Sequence, residues 1–188
     1  MARDGGLQKF SLLDIAAGSA DISIAVVRVA RRAGLDAQVV ATDINPKIVA
    51  IARDHAAPYP SVHVEQSDAL ALPYPSGSFD IVLCTLALHH FDPAFAVQVL
   101  RNMARVGRHV LVFDVMRSRA AYAGALLLTR ATRMTTMTRH DAPVSVRRAY
   151  SRPELAALAQ AAGIRNARIW VSMPFRLALS APGEAESS

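Results

Sequence analysis

The ten residues Leu12–Asp21, LLDIAAGSAD, decide how this chain is read. The first half is apolar on both sides, as a strand buried on both faces requires. The second half is a tight turn leading into a helix, the place where α/β proteins hold a cofactor. Phosphate-binding turns of this kind carry two or three glycines, and here Gly18 stands alone among alanines. Neither the G-x-G-x-x-G fingerprint nor the P-loop spacing is present. Asp21, at the head of the following helix, would also repel a pyrophosphate brought to that terminus.

Working outward, hydrophobic periodicity predicts strands at Phe10–Ala17, Ala37–Ile44, Val62–Asp68, Phe79–Leu88 and Arg108–Met116. Two late strands follow, near Ala167–Met173 and Phe175–Leu179. Helices are predicted over Asp21–Ala33, from Pro46 to about His55, from Pro93 to about Val106, over Arg117–Arg133 and over Pro153–Ala162. Asn45-Pro46 and Asp92-Pro93 are starts of the expected kind, a capping residue before proline at the first helical position. Continuous apolar strands alternating with amphipathic helices give an α/β fold, a doubly wound and mostly parallel sheet with helices on both faces. We expect one domain over residues 1–180, with 117–150 as a lid on the substrate side and 181–188 as a loose tail.

With 188 residues, 52% of them hydrophobic and 19% charged, the chain is globular rather than disordered. Cys84 is the only cysteine, which removes any disulfide framework or cysteine-based metal site and points to a reducing, cytoplasmic setting. No apolar signal-peptide core stands at the N-terminus. The longest apolar run, near Ala120–Leu128, falls far short of the ~20 residues that span a bilayer. The net charge of +6 comes almost entirely from scattered arginines, which reads as a solvated surface rather than a nucleic-acid face.

The strand ends carry the chemistry. The first ends in Ala16-Ala17-Gly18-Ser19-Ala20-Asp21, the second in Asp43, the third in Asp68 and the fifth in Asp114; the fourth ends in Thr85 and leads to His89-His90. Carboxylates and imidazoles repeated along one sheet edge indicate a ligand site. Asp43 lies one βαβ unit after the turn, where a carboxylate accepts both hydroxyls of a ribose. A nucleoside cofactor with a cationic portion and no phosphate fits these charges, and S-adenosylmethionine has that character.

The ordered set LLDIAAGSAD, VVATDINP, QSDALALPYPSGSFDIVLCTLALHHF and RVGRHVLVFD resembles the class I S-adenosylmethionine-dependent methyltransferases, closest to their ubiquinone/menaquinone-type, small-molecule branch. The resemblance runs from about Leu12 to Leu179. It implies a Rossmann-like methyltransferase fold in which Ala16, Ala17, Gly18, Ser19 and Asp21 wrap the methionine part of the cofactor, Gly18 making the closest approach. It implies Asp43 on the ribose, Ile44 beside the adenine, Asp68 on the adenine amino group with Ala69 next to it, and Thr85 and Leu86 at the methionine end. The family usually has glycine at the places of Ala16 and Ala20, and an alanine there is tolerable if its φ stays negative. Relatives also carry a helical segment before the first strand, where this chain has about ten residues.

Methyl transfer to a phenol, hydroxyl or acidic carbon needs a base, and histidine suits that near neutral pH. His90 ranks first, then His140, with Asp114 as an orienting carboxylate; no metal-ligand spacing stands out. The expected activity is methylation of a small molecule, a phenolic or quinone- or polyketide-like acceptor. The alternatives are a non-catalytic S-adenosylmethionine-binding protein and, further off, an RNA methyltransferase, against which no N-P-P-Y-type motif follows the fourth strand.

Overall fold

The computed structural model describes residues 8–118, 148–172 and 175–184. The strands are β1 (Gln8–Ile15), β2 (Leu35–Asp43), β3 (Val62–Gln66), β4 (Phe79–Thr85), β5 (Gly107–Val115), β6 (Arg168–Ser172) and β7 (Arg176–Pro182). The helices are α1 (Asp21–Arg32), α2 (Pro46–Ala56), α3 (Pro93–Val106) and α4 (Arg152–Ala161), with a 3-10 turn at Leu88–His90. They build a seven-stranded sheet in the order β3-β2-β1-β4-β5-β7-β6. The first five strands pair in parallel, and β7 runs antiparallel between β5 and β6.

Alternation along β1 separates two cores. Leu13 and Ile15 join Val82, Cys84, Val110, Val112, Leu177 and Leu179 against α3 and α4. Leu12 joins Val39, Ala41 and Val64 against the apolar faces of α1 and α2. Helices thus lie on both faces, as the continuous apolar strands predict. Strand order reverses between β1 and β4, so the crevice outside their carboxyl ends is where this architecture binds ligands.

The helix starts follow local chemistry. Asn45 caps α2 by accepting from the Lys47 amide at 3.0 Å, with Pro46 at the first position. Ser151 and Glu154 form a reciprocal capping box at α4. From α3, Arg105 donates to the carbonyls of Leu72 and Tyr74, and Asn102 and Gln98 to those of Ala69 and Leu70, fixing the turn-rich passage between β3 and β4.

The structure moves three boundaries. β4 stops at Thr85, because Leu86 takes a left-handed φ of 54° and the chain then tightens into the 3-10 turn. β3 stops at Gln66, because the Asp68 side chain caps a turn instead, accepting from the Leu70 amide. β7 runs on through Ala181 and Pro182, residues expected in the tail, because they pair with Val110 and His109 of β5. Gly183 then donates to the Arg108 carbonyl, and a Cβ there would run into the Gly107 carbonyl oxygen. The helix expected over Arg117–Arg133 falls mostly on residues 119–147, outside the described residues, as does most of the lid.

Gly183→Ala therefore forces backbone apart where β7 crosses β5. The expected loss is about 1–3 kcal/mol, read as a lower denaturant midpoint with unchanged slope. An unchanged midpoint would show that the crossing has slack.

Candidate active site at the carboxyl edge

The turn after β1 is held by the end of β2. Ala17 donates its amide to the Thr42 carbonyl at 2.8 Å, and Gly18 donates to Asp43 Oδ2 at 3.1 Å. Asp43 Oδ1 accepts from the Asn45 amide at 2.9 Å, so one carboxylate ties two strand-to-helix turns together. Each carboxylate oxygen keeps a further lone pair for a ligand hydroxyl. Beside it, Ile44 leaves its side chain exposed, 62% accessible, as an apolar plate at the strand end.

Backbone geometry overturns one expectation. Ala16, Gly18 and Ala20 all take left-handed φ, at 52°, 57° and 63°. The two alanines do not keep negative φ; the turn has the path that three glycines would give, with two Cβ atoms carried through it. Each left-handed alanine costs about 1–2 kcal/mol. Gly18 has the same φ, and a Cβ built on it meets nothing within 4 Å. At Gly18 it is the left-handed backbone, not crowding by the described residues, that disfavours a side chain.

The remaining predicted cofactor residues take their places along the same edge. Ser19 donates its hydroxyl to Asp21 Oδ2 at 2.6 Å, and Asp21 also lies 3.8 Å from His55 on the exposed side of the turn. Asp68 is half-buried, with Oδ1 accepting from the Leu70 amide at 2.8 Å, and Ala69 is buried beside it. Thr85 is half-buried, and Leu86 is 42% exposed on its left-handed backbone. Strain of this kind in a non-glycine residue concentrates at functional sites.

On the acceptor side the structure rearranges the expected partners. Asp114 does not orient His90; both of its oxygens engage His89, Oδ1 with Nδ1 at 2.7 Å and Oδ2 with the backbone amide at 2.9 Å. The 3-10 turn points the first histidine inward and leaves the second outside: His89 is 5% exposed, and His90 is exposed. Partial desolvation by the groups around it, then the His89 ring and Arg148, push His90 below its usual value, with Asp114 opposing them. His140 lies outside the described residues.

Two polar residues were missed from sequence. His89 was passed over for its neighbour, since alternation in LHH does not show which ring a 3-10 turn buries. Asp14, in β1 two residues before Ala16, is 1% exposed. It accepts from Ser23 on α1 at 2.6 Å, and its other oxygen has no partner. A charged residue inside an otherwise apolar strand was the available signal. Burial pushes its carboxyl up to about 6, against the hydrogen bond from Ser23. Among the described residues, no group of three or more metal-ligating side chains comes together.

A family model described as a methyltransferase domain matches residues 12–109, just over half of the chain. A demethylmenaquinone methyltransferase of Deinococcus radiodurans is 37% identical over 106 residues, 54% of this chain and 42% of that protein. A ubiquinone biosynthesis O-methyltransferase of Xanthomonas campestris is 31% identical over 120 residues, 62% of this chain and 47% of that protein. The chain thus spans less than half the length of these relatives. A solved SAM-dependent methyltransferase from Aquifex aeolicus superposes with a TM-score of 0.67 at 18% identity, covering 94% of this chain and 84% of that one. That likeness is one of fold.

Two variants test the turn. Ala16→Gly relieves a left-handed alanine that is only half-buried, and is expected to stabilise by about 1 kcal/mol, read as a rise of roughly 2–4 °C in Tm. A fall in Tm would show that the methyl's packing outweighs its strain. Asp14→Asn tests the buried carboxyl. The folded state holds this proton up to about pH 6 and the unfolded chain only to its ordinary 3.8, so Asp14's contribution is full at low pH and is lost as pH rises between them. The stability difference should move in favour of the variant by about 2 kcal/mol from pH 4 to pH 7. A difference independent of pH would mean that Asp14 is ionised throughout.

Proposed function

We propose that this chain, which belongs to the methyltransferase-domain family, transfers a methyl group from S-adenosylmethionine to a small phenolic or quinone-like acceptor in the cytoplasm. The observation that carries the reading is the Asp43 carboxylate at the end of β2 bound to the Gly18 amide after β1, beside the point where strand order reverses. It joins a pyrophosphate-averse turn to a ribose-competent acid. Quinone-pathway relatives, one of them an O-methyltransferase, support the acceptor class and leave oxygen and carbon both open.

The residues present fit the cofactor. An unpartnered, buried Asp14 oxygen beneath the turn suits an ammonium, the acidic turn suits a cation, and exposed Ile44 suits the flat face of a base. In this reading Ala16–Ser19 and Asp21 line the methionine end with Thr85 and Leu86. Asp43 accepts from the ribose hydroxyls, and Asp68 with Ala69 meets the base. When bound, S-adenosylmethionine supplies an electrophilic methyl carbon on a sulfonium.

The chain's own work is to place the acceptor's nucleophile in line with that carbon, which accounts for most of the rate in such a displacement. His90, exposed on the acceptor side, takes the proton that the acceptor gives up. An imidazole held below its usual value is neutral at pH 7 and free to accept it.

The test is labelled S-adenosylmethionine with a panel of hydroquinones and phenols, alongside calorimetric titration of the cofactor. Asp43→Ala should weaken cofactor binding by roughly 10- to 100-fold, the worth of hydrogen bonds to a charged group. Gly18→Ala should cost about 1 kcal/mol of stability, as its alanine neighbours do, and a larger loss in cofactor affinity. Undiminished affinity in Asp43→Ala would remove the site assignment. Intact binding with no transfer to any acceptor would favour a non-catalytic binding protein.

A further inference from the structure

We propose that His89 and Asp114 form a positioning pair that presents His90 to the methyl acceptor, an inference that rests on the methyltransferase reading above. Asp114 stands near the end of β5, and His89 in the 3-10 turn after the adjacent strand β4. Their side chains are 7% and 4% exposed. The carboxylate grips one residue at two points, ring Nδ1 at 2.7 Å and backbone amide at 2.9 Å, and takes a further bond from the Val115 amide at 2.6 Å. Because an ionised carboxylate only accepts, Nδ1 carries the hydrogen. Backbone and imidazole of His89 are therefore fixed together.

Stability alone does not call for this arrangement. His89 Nε2, on the far side of the ring, is buried without a partner among the described residues. An orphaned buried polar atom costs about 1–3 kcal/mol, and burying a carboxylate adds to it. A leucine at 89 facing an apolar residue at 114 would fill the space without either. What the fixed ring touches outward is His90: the ring centroids are 4.0 Å apart and the planes are inclined by 41°. No hydrogen bond from a described residue holds the His90 ring, and among those residues the His89 face is the aromatic surface it packs against.

The charges work the same way. Desolvation is the first cause that lowers His90; of the charged groups acting on it, His89 and Arg148 disfavour a proton and Asp114 favours one. With His89 interposed, the carboxylate grips the inner ring and leaves the outer ring's nitrogens free for the acceptor.

His89→Asn separates the anchor from the ring. Its amide reaches the Nδ1 position and can still donate to Asp114, while the face that packs on His90 is gone. The experiment is an NMR titration of labelled histidines in the full chain, wild type and H89N, paired with kinetics on 1,4-naphthohydroquinone over pH. In H89N the Tm and S-adenosylmethionine affinity should stay near wild type. The His90 titration should move up toward its ordinary value, the acid limb of kcat/KM should move with it, and kcat should fall on the order of 10- to 100-fold. His89→Ala, which also loses the bond to Asp114, should lose stability as well.

An unmoved His90 titration in H89N overturns the proposal. So does an acid limb that survives in His90→Gln and vanishes in H89N, since His89 would then be the proton acceptor itself. If wild type binds the cofactor but leaves the hydroquinone unmethylated, the acceptor assignment fails, and the titration still decides whether His89 governs His90.

Discussion

The Asp43 carboxylate is the constraint on which the carboxyl edge depends. A parallel sheet delivers β1 and β2 side by side, each ending in a turn with unpaired amides. One side chain at the end of β2 takes an amide from each turn, Gly18 and Asn45. The neighbouring Thr42 carbonyl takes the Ala17 amide, and Gln66 at the end of β3 donates to the Ile44 carbonyl. The ends of the first three strands are thereby registered to one another by polar contacts, and the apolar cores beneath need only supply stability.

That division explains where the molecule tolerates unfavourable local structure. Left-handed Ala16, Ala20 and Leu86, and the unpartnered atoms of Asp14, Ser67 and His89, all lie at or beside the carboxyl ends of β1, β3 and β4. Each costs on the order of 1–3 kcal/mol. At the opposite edge Gly34 closes α1 with an ordinary turn, and among the described non-glycine residues Asn166, before β6, is left-handed there. Clustering of unfavourable features on one edge, over two well-filled cores, is what a site shaped for a ligand produces and what a fold shaped for stability alone would lose.

The fold was legible because its signals are local and repeated. Continuous apolar strands, Asn45-Pro46 and the Gly34 and Gly163 stops each mark an element without reference to the others. The candidate edge was legible too, since a parallel sheet sends every strand's last residue to one side. What sequence could not supply was direction within short irregular pieces. Nothing in Leu88-His89-His90 says which ring a 3-10 turn buries, so sequence does not tell which histidine Asp114 engages. The alanines of the turn were expected to avoid positive φ on intrinsic preference; tertiary constraint from Thr42 and Asp43 overrides that preference. Asp14 went unremarked because its partner Ser23 lies on the next helix, facing a strand whose alternation only the packing resolves.

Charge around the turn narrows the kind of molecule that can sit there. The N-terminus of α1 offers free amides and a positive dipole end, which by themselves favour an anion. Asp21 stands at that terminus, Asp43 on the Gly18 amide, and Asp14 beneath. The Gly18 amide, in the middle of the turn, is already given to a carboxylate, and two further acids would repel a phosphate. A cationic group meets the reverse situation: a buried oxygen lacking a donor, and a carboxyl whose proton a nearby positive charge would displace. Binding a cation at this turn and ionising Asp14 are therefore favourably coupled, so the burial that makes Asp14 unfavourable in the free chain also gives the cation more to gain.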